Sequence, residues 1–339
     1  VEVTESTRLV IEEQSQTAEA RRIASGMALD VGLDENDAQR VSIAVTEACT
    51  NLLKHGGGGE IFLSVTQGSS PEFEVLALDR GPGITNLADC LRDGYSTGGS
   101  PGQGLGAIRR LSSVSDLFSI PGQGTALLAR WSKNKSAHMS GVDPTGKLRI
   151  GAVNACKPGQ EVCGDSWGVE QNENNTVVLV ADGLGHGPEA RDASMEAVRM
   201  MRLNPQLGPQ EMLERCHLAL RSTRGAAVSV ARIDRDRNKV TFAGVGNVAA
   251  QIYSGAKLVQ HLVSVNGTAG HHSHKLREFS YPWPSDGMMV LHSDGLATGT
   301  NAETRQGLAM RDPALIAGVL YRDFTRGNDD STVVVAKAA

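Results

Sequence analysis

The chain has 339 residues, 40% of them hydrophobic, which is enough for two domains with separate cores. A net charge of -5 excludes the basic footprint of a nucleic-acid or anionic-membrane binder and points to protein or small-molecule partners. No apolar run reaches the roughly 18 to 20 residues of a spanning helix, the first residues VEVTESTRLV show no leader pattern, and Cys49, Cys90, Cys156, Cys163 and Cys216 form no CxxC pair. The sequence therefore reads as a cytoplasmic protein with reduced cysteines.

Residues 34 to 55 predict a helix. Asp34 caps it, Val41, Ala44, Val45, Ala48 and Leu52 recur at helical spacing, and the GGGG at 56 to 59 stops it. Strands IFLSV at 61 to 65 and FEVLAL at 73 to 78 follow, joined by GSSPE. The glycine-rich GYSTGGSPGQG precedes a short helix near 105 to 113, and strands near 115 to 120 and 126 to 131 close around PGQGT. This mix predicts an α+β sandwich, one sheet with helices on one face. SKNKSAHMSGVDPTGK, at 132 to 147, has a linker's composition, and it divides the chain into domains at 1–132 and 148–339 joined by residues 133–147.

The second domain opens with strands at about 148 to 154, 166 to 171 and 176 to 182, followed by helices over 187 to 203 and 209 to 222. The β-rich segments AAVSVARID, KVTFAGVG, AAQIYS, MMVLHSD and STVVVAK come after them. Strands on both sides of a helical pair predict a β-sandwich flanked by helices.

Glu47 and Asn51 are four residues apart and share one helix face. A carboxylate there can polarise a hydroxyl while the amide oxygen coordinates Mg²⁺ held by phosphates, or the pair is a solvated polar face. Asp79 ends a strand in LDRGPGI, where it can accept from an adenine amino group while Gly81 and Gly83 let the backbone turn beneath the base; a plain turn is the other reading. GQGLGA places Gly102, Gly104 and Gly106 just before a helix, where backbone N–H groups can cradle phosphates. His55 suits a contact with the helix C-terminus, and Lys54 is open to phosphate or to solvent.

In the second domain, a hairpin centred between Glu173 and Asn174 sets Asp165 directly opposite Asp182. Two carboxylates that close repel unless one is protonated or a cation lies between them. Asp294 ends one later strand and Asp329 and Asp330 begin another, so an antiparallel pairing brings these carboxylates to one edge as an oxygen-rich site for Mg²⁺ or Mn²⁺. His186 follows Asp182 closely enough to reach that site, and HHSH at 271 to 274 reads as a solvated loop.

In order and spacing, the first set resembles the GHKL (Bergerat) ATP-binding fold, with Gly124 and Thr125 as its late Gly-Thr. TEACTNLLKHG, DGYSTGGSPGQGLGAIRRLS and GQGTALLARW are similar to the serine kinases of bacterial partner-switching systems. This implies ATP and Mg²⁺ as cofactors, Glu47 as catalytic base, Asn51 as Mg²⁺ ligand, and a STAS-domain antagonist protein as substrate. The second set, GDS, ADGLGHGPEA, AGVGN, SDGL and DDST, resembles the PPM-type serine phosphatases of the SpoIIE/RsbX class, an αββα sandwich. That resemblance implies two Mn²⁺ or Mg²⁺ ions, a bridging catalytic Asp182, the Gly183 carbonyl, and Asp165, Asp294 and Asp329 as further ligands, with Asp330 the alternative to Asp329. The expected function is a bifunctional kinase and phosphatase in a partner switch. Left open are an anti-sigma or activator-binding module gating a phosphatase, and a nucleotide sensor doing the same.

Overall fold

In the computed structural model, which describes residues 2–3, 6–67, 71–86, 104–133, 147–271 and 275–338, Glu13 and Gln16 open the first helix. The backbone N–H of Glu13 donates to Gln16 Oε1 at 2.9 Å, one half of a capping box at the start of α1 (Gln14–Asp30). This helix was not expected from sequence. Its buried stripe is Thr17, Ala20, Ala24 and Ala28, small residues at helical spacing that give little hydropathy contrast. In α2 (Glu35–Asn51) the N-cap Asp34 accepts from Asp37 N at 2.7 Å, and the helix widens into a π-helical turn, Leu52–Gly56, before Gly57 ends it at φ 72°.

Contacts divide the described residues into two units, one reaching to residue 133 and one from residue 147 onward. In the first, β1 (Glu2–Val3) and β2 (Thr7–Ile11) both pair with β3 (Gly59–Gln67), and the sheet continues through β4 (Glu72–Leu78), β6 (Thr125–Ser132) and β5 (Val114–Ser119). Alternate sheet residues Ile61, Leu63, Phe73, Val75, Leu127 and Trp131 share one core with Ala24, Val41, Val45 and Ala48 of the helices and Ile108 of α3 (Gly104–Leu111). Helices on one face of an antiparallel sheet are what the sequence led us to expect.

The second unit is a sandwich of two five-stranded antiparallel sheets. One runs β14 (Phe279–Pro282), β11 (Lys239–Val245), β10 (Ala226–Asp234), β9 (Asn175–Gly183), β8 (Asp165–Gln171). The other runs β13 (Lys257–His261), β12 (Ala249–Ser254), β15 (Gly287–His292), β16 (Ser331–Lys337), β7 (Arg149–Ala155). Val178, Val180, Phe242, Ile252, Leu291 and Val334 fill the space between the sheets. Helices α4 (Pro188–Leu203) and α5 (Pro209–Ala219) pack against the first sheet through Val198, Met201, Leu213 and Cys216.

Helix α6 (Pro313–Phe324) covers the second sheet and was also not expected from sequence. Ten successive residues, Pro313 to Arg322, are buried, so no polar face betrays a helical period. Its start was nonetheless marked: Asp312 caps Ala314 N at 2.9 Å and Pro313 holds the first helical position. A Cβ at Gly151 of β7 would lie 1.9 Å from Ala314 N, so glycine lets this helix rest on the strand.

Candidate functional site

Asp79 sits where β4 ends. Its N–H donates to the Thr125 carbonyl at 2.9 Å, and its Oδ1 accepts from Gly81 N at 2.8 Å and Thr125 N at 3.1 Å. The carboxylate is thereby fixed between the turn at 79–83 and the start of β6. Two glycines permit the closure: a Cβ at Gly124, whose φ is +83°, would lie 2.1 Å from the Asp79 carbonyl, and one at Gly81 would lie 2.7 Å from the His55 carbonyl. Gly83 makes a similar approach to Ile120. The late Gly-Thr and the DxGxG turn are thus parts of one structure.

The last turn of α2 brings Glu47 and Asn51 together with the first residue of α3. A Cβ at Gly104 would stand 3.2 Å from Asn51 Oδ1 and 3.4 Å from Glu47 Oε2, so this glycine lies directly over both side chains. Asn51 Nδ2 is buried without a hydrogen-bond partner. An unmet donor in such a place costs about 1–3 kcal/mol, and an amide held beside a carboxylate at a helix N-terminus suits a phosphate-bearing ligand. Gly106 is buried within α3, and Lys54 and His55 are exposed on the π turn. Gly102 and the remainder of GYSTGGSPGQG before Gly104 lie outside the described residues.

At the edge of the second unit, the antiparallel register pairs Asp165 with Asp182, as the hairpin centre at Glu173 and Asn174 requires. Asp294 follows β15 and Asp330 precedes β16; Ser293 N donates to the Thr332 carbonyl at 3.0 Å and Thr332 N to Ser293 Oγ at 2.9 Å, which locks the two strand ends side by side. Asn154 ties the sheets together, its Nδ2 donating to Thr332 Oγ1 at 2.8 Å and to the Asp165 carbonyl at 3.3 Å. Both oxygens of buried Asp165 lack hydrogen-bond partners, as does Asp330 Oδ2.

This edge concentrates negative charge. Burial, with Asp165, Asp294, Asp329 and Asp330 nearby, pushes Asp182 up to about 9. Burial, with Asp330 and Asp294 nearby, raises Asp165 to about 7 against the opposing pull of the neighbouring Ser293 and Thr332 hydroxyls. The carboxylates share the edge without meeting at one point: among the described residues, no three His, Cys, Asp or Glu side chains stand at ion-holding spacing. Three buried, unpartnered carboxylate oxygens in mutual repulsion still fit a divalent cation, which would satisfy both their charge and their lone pairs. Asp330 Oδ1 accepts from Lys157 N at 2.8 Å, and Asp329 Oδ1 accepts from Asp330 N at 3.0 Å, so the adjacent pair is held by backbone on both sides.

Sequence reasoning passed over three groups here. Asn247 Nδ2 donates to Asp294 Oδ2 at 2.5 Å; it closes the AGVGN segment, whose role the spacing did not reveal. Lys157 contributes only its backbone, which no side-chain pattern can signal. Arg224 belongs to no motif, yet its guanidinium pairs with Glu189 in the first turn of α4. His186 is exposed; His271 Nε2 lies 2.9 Å from the Arg224 carbonyl, and residues 272–274 lie outside the described set. Among the described residues, no helix is long and apolar enough to cross a membrane.

An antiparallel sheet with helices on one face, followed in sequence by an αββα sandwich with an acidic edge, is the arrangement of a kinase-like ATPase domain joined to a phosphatase domain. Residues 11–131 match the histidine kinase-like ATPase domain model, and residues 172–339 match that of stage II sporulation protein E. The serine/threonine-protein kinase RsbT of Bacillus subtilis (strain 168) is 32% identical over 114 residues, which cover 33% of this chain and 86% of RsbT. Phosphoserine phosphatase RsbX of the same organism is 24% identical over 182 residues, covering 53% of this chain and 90% of RsbX. A solved chain from work on the bacterial stressosome, 29% identical, matches 56% of this chain and 100% of its own length at a TM-score of 0.53. RsbX in complex with magnesium, 22% identical over 57% of this chain and 96% of its own, shares the fold at a TM-score of 0.52. The chain belongs to the partner-switching family, as a histidine kinase-like ATPase domain fused to a SpoIIE-type phosphatase domain.

Proposed function

We propose that the chain is a bifunctional regulator: its first domain transfers phosphate from ATP to a serine or threonine of a STAS-domain antagonist protein, and its second hydrolyses phosphoserine or phosphothreonine on the same or a related STAS protein. The observation that carries this reading is the opposition of Asp165, both of whose oxygens are unmet, and Asp182, on the chain that also holds Asn51 beside Glu47 and Gly104.

In the first domain Asp79 reads the adenine amino group, the residues from Gly102 to Gly106 receive the phosphates, and Asn51 holds Mg²⁺. Glu47, one helical turn from Asn51, would accept the proton of the acceptor hydroxyl as its oxygen bonds to the γ-phosphorus and the bond to the bridging oxygen breaks, releasing ADP. In the second, Asp182, Asp165, the Gly183 carbonyl, Asp294 and Asp329, or Asp330 in place of Asp329, would hold the divalent cations. Divalent cations, when bound, neutralise phosphate charge and acidify water. Asn247 orients Asp294 and Asn154 holds the Asp165 strand end, so the ligands keep their places across two sheets.

Opposed activities on one phosphosite would consume ATP without net result, so the two domains act on separate phosphoproteins or control one another across residues 133–147. The test incubates the purified chain with candidate STAS proteins and Mg-ATP or Mn²⁺, comparing Asn51→Ala with Asp182→Asn. Phosphorylation is lost in the first and dephosphorylation in the second. Tight binding of a sigma factor with no phosphotransfer to any STAS protein would overturn the kinase half.

A further inference from the structure

The acidic edge poses a problem for a phosphate ester. Asp182 lies near four further aspartates along this edge, and bound cations would offset only part of the charge that a phosphate dianion meets there. A neutral or cationic donor from outside the aspartate set is needed to orient the substrate phosphate.

The strand pairing supplies one. Ala226 pairs with Gly183 and Ala227 with Asp182 across β10 and β9, and Leu184 N extends the ladder by donating to the Gly225 carbonyl at 3.0 Å. The next residue back, Arg224, therefore lies across from Gly185, in the loop that follows Asp182. Gly185 has φ +93°, and a Cβ there would stand 3.0 Å from Arg224 Nη1, so the guanidinium rests on that loop. Its Nη2 pairs with Glu189 at the start of α4, yet the arginine side chain remains 48% exposed. Arg221 and two imidazoles gather on the same side. Burial lowers the His217 pKa, and Arg221 and His271 lower it further, which puts these basic groups within reach of one another beside Arg224.

We propose that Arg224 is the substrate-phosphate anchor of the phosphatase domain, presenting guanidinium N–H groups to the phosphoryl oxygens from the loop opposite Gly185. The assignment rests on the phosphatase reading above and deepens it. A planar guanidinium offers five donors, so the contact with Glu189 leaves others for phosphate, and Glu189 sets the plane of the fork. Arg224 binds the ester and takes no part in proton transfer.

Two measurements on the Mg²⁺-loaded full chain separate this assignment from the reading beneath it. Calorimetric binding of orthophosphate reports on Arg224. Hydrolysis of p-nitrophenyl phosphate, with Asp182→Asn as control, reports on the phosphatase. Arg224→Ala weakens orthophosphate binding roughly tenfold or more, Arg224→Lys falls between it and the parent, and Glu189→Gln leaves binding unchanged or tighter. Unchanged orthophosphate affinity in Arg224→Ala would overturn the anchor. So would a loss in Glu189→Gln equal to that in Arg224→Ala, since the ion pair would then merely shape the loop. If Arg224→Ala does not fold, the comparison of Arg224→Lys with Glu189→Gln decides. Arginine-dependent phosphate binding without any hydrolysis sensitive to Asp182→Asn would support the anchor and sink the phosphatase reading alone.

Discussion

Asp165 stands directly opposite Asp182 in the antiparallel pair of β8 and β9, and both carboxyls are held well above the ordinary carboxylate range. Cross-strand like charges destabilise a sheet, and here burial compounds the cost. A fold that keeps such a pair trades stability for a ligand site, and the trade can be measured.

The first measurement is of stability against pH in chelator. The folded chain holds the Asp182 proton up to about 9, whereas an ordinary aspartate ionises at 3.8. Between those values the folded state carries a proton that the unfolded state has lost, so this contribution to stability is full at acid pH and drains away as pH rises towards 9. Asp165 adds the same trend up to about 7. Asp182→Asn removes the dominant proton, and the fall of the urea-derived unfolding free energy between pH 6 and 8 becomes shallower by up to about 1.4 kcal/mol per pH unit. Parallel curves for the two proteins would show that Asp182 is not buried as described.

The nucleotide site offers a steric test. A side chain at Gly104 meets Asn51 Oδ1 and Glu47 Oε2 at once, so Gly104→Val occupies the ground where phosphate must approach. The helix itself tolerates the change, because valine is a better helix former than glycine. ATP affinity falls roughly tenfold or more, about 1.4 kcal/mol, while the thermal midpoint moves little. ATP binding unchanged by valine would place the nucleotide elsewhere.

The Asp165–Asp182 pairing was legible because NENN fixes the hairpin centre, and register in a two-residue period leaves no freedom once the centre is known. The helices α1 and α6 were not legible, for opposite reasons: Ala20, Ala24 and Ala28 give too little contrast, whereas Leu315, Ile316, Val319 and Leu320 belong to a segment buried on every side. Sequence likewise placed Asp79 and Thr125 in one proposed ATP site only through family resemblance, since the two hydrogen bonds that join them to each other cross 46 residues of chain. Arg224 was hidden because its place depends on the β9–β10 ladder, and arginine in a loop carries no spacing signal.

Gly151 tests the packing that supports the acidic edge. Its strand, β7, pairs with β16 as Ala155 with Ser331, beside Asp330. A methyl group at 151 would overlap Ala314 N at 1.9 Å, a side-chain carbon against helix backbone, and neither α6 nor β7 can yield without disturbing its neighbours. Gly151→Ala costs about 3 kcal/mol by overpacking, read as a lower urea midpoint for the second domain. A normal midpoint would mean that α6 does not lie on β7 as found.

Ion binding is coupled to proton release, because ligands must lose their protons before they can take a cation. At pH 7 the facing pair, raised by burial and mutual repulsion to about 9 at Asp182 and about 7 at Asp165, together retains at least one proton. Loading Mg²⁺ or Mn²⁺ therefore expels between about one and two protons from the pair at this pH. The number falls as pH approaches 9, and apparent ion affinity rises over the same interval. Calorimetric titration in two buffers of different ionisation enthalpy measures the release directly, and Asp182→Asn lowers it by about one. Ion binding with no proton release at pH 7 would mean that the cation bypasses these carboxylates, and the assignment of Asp182 as the shared ligand would fall with it.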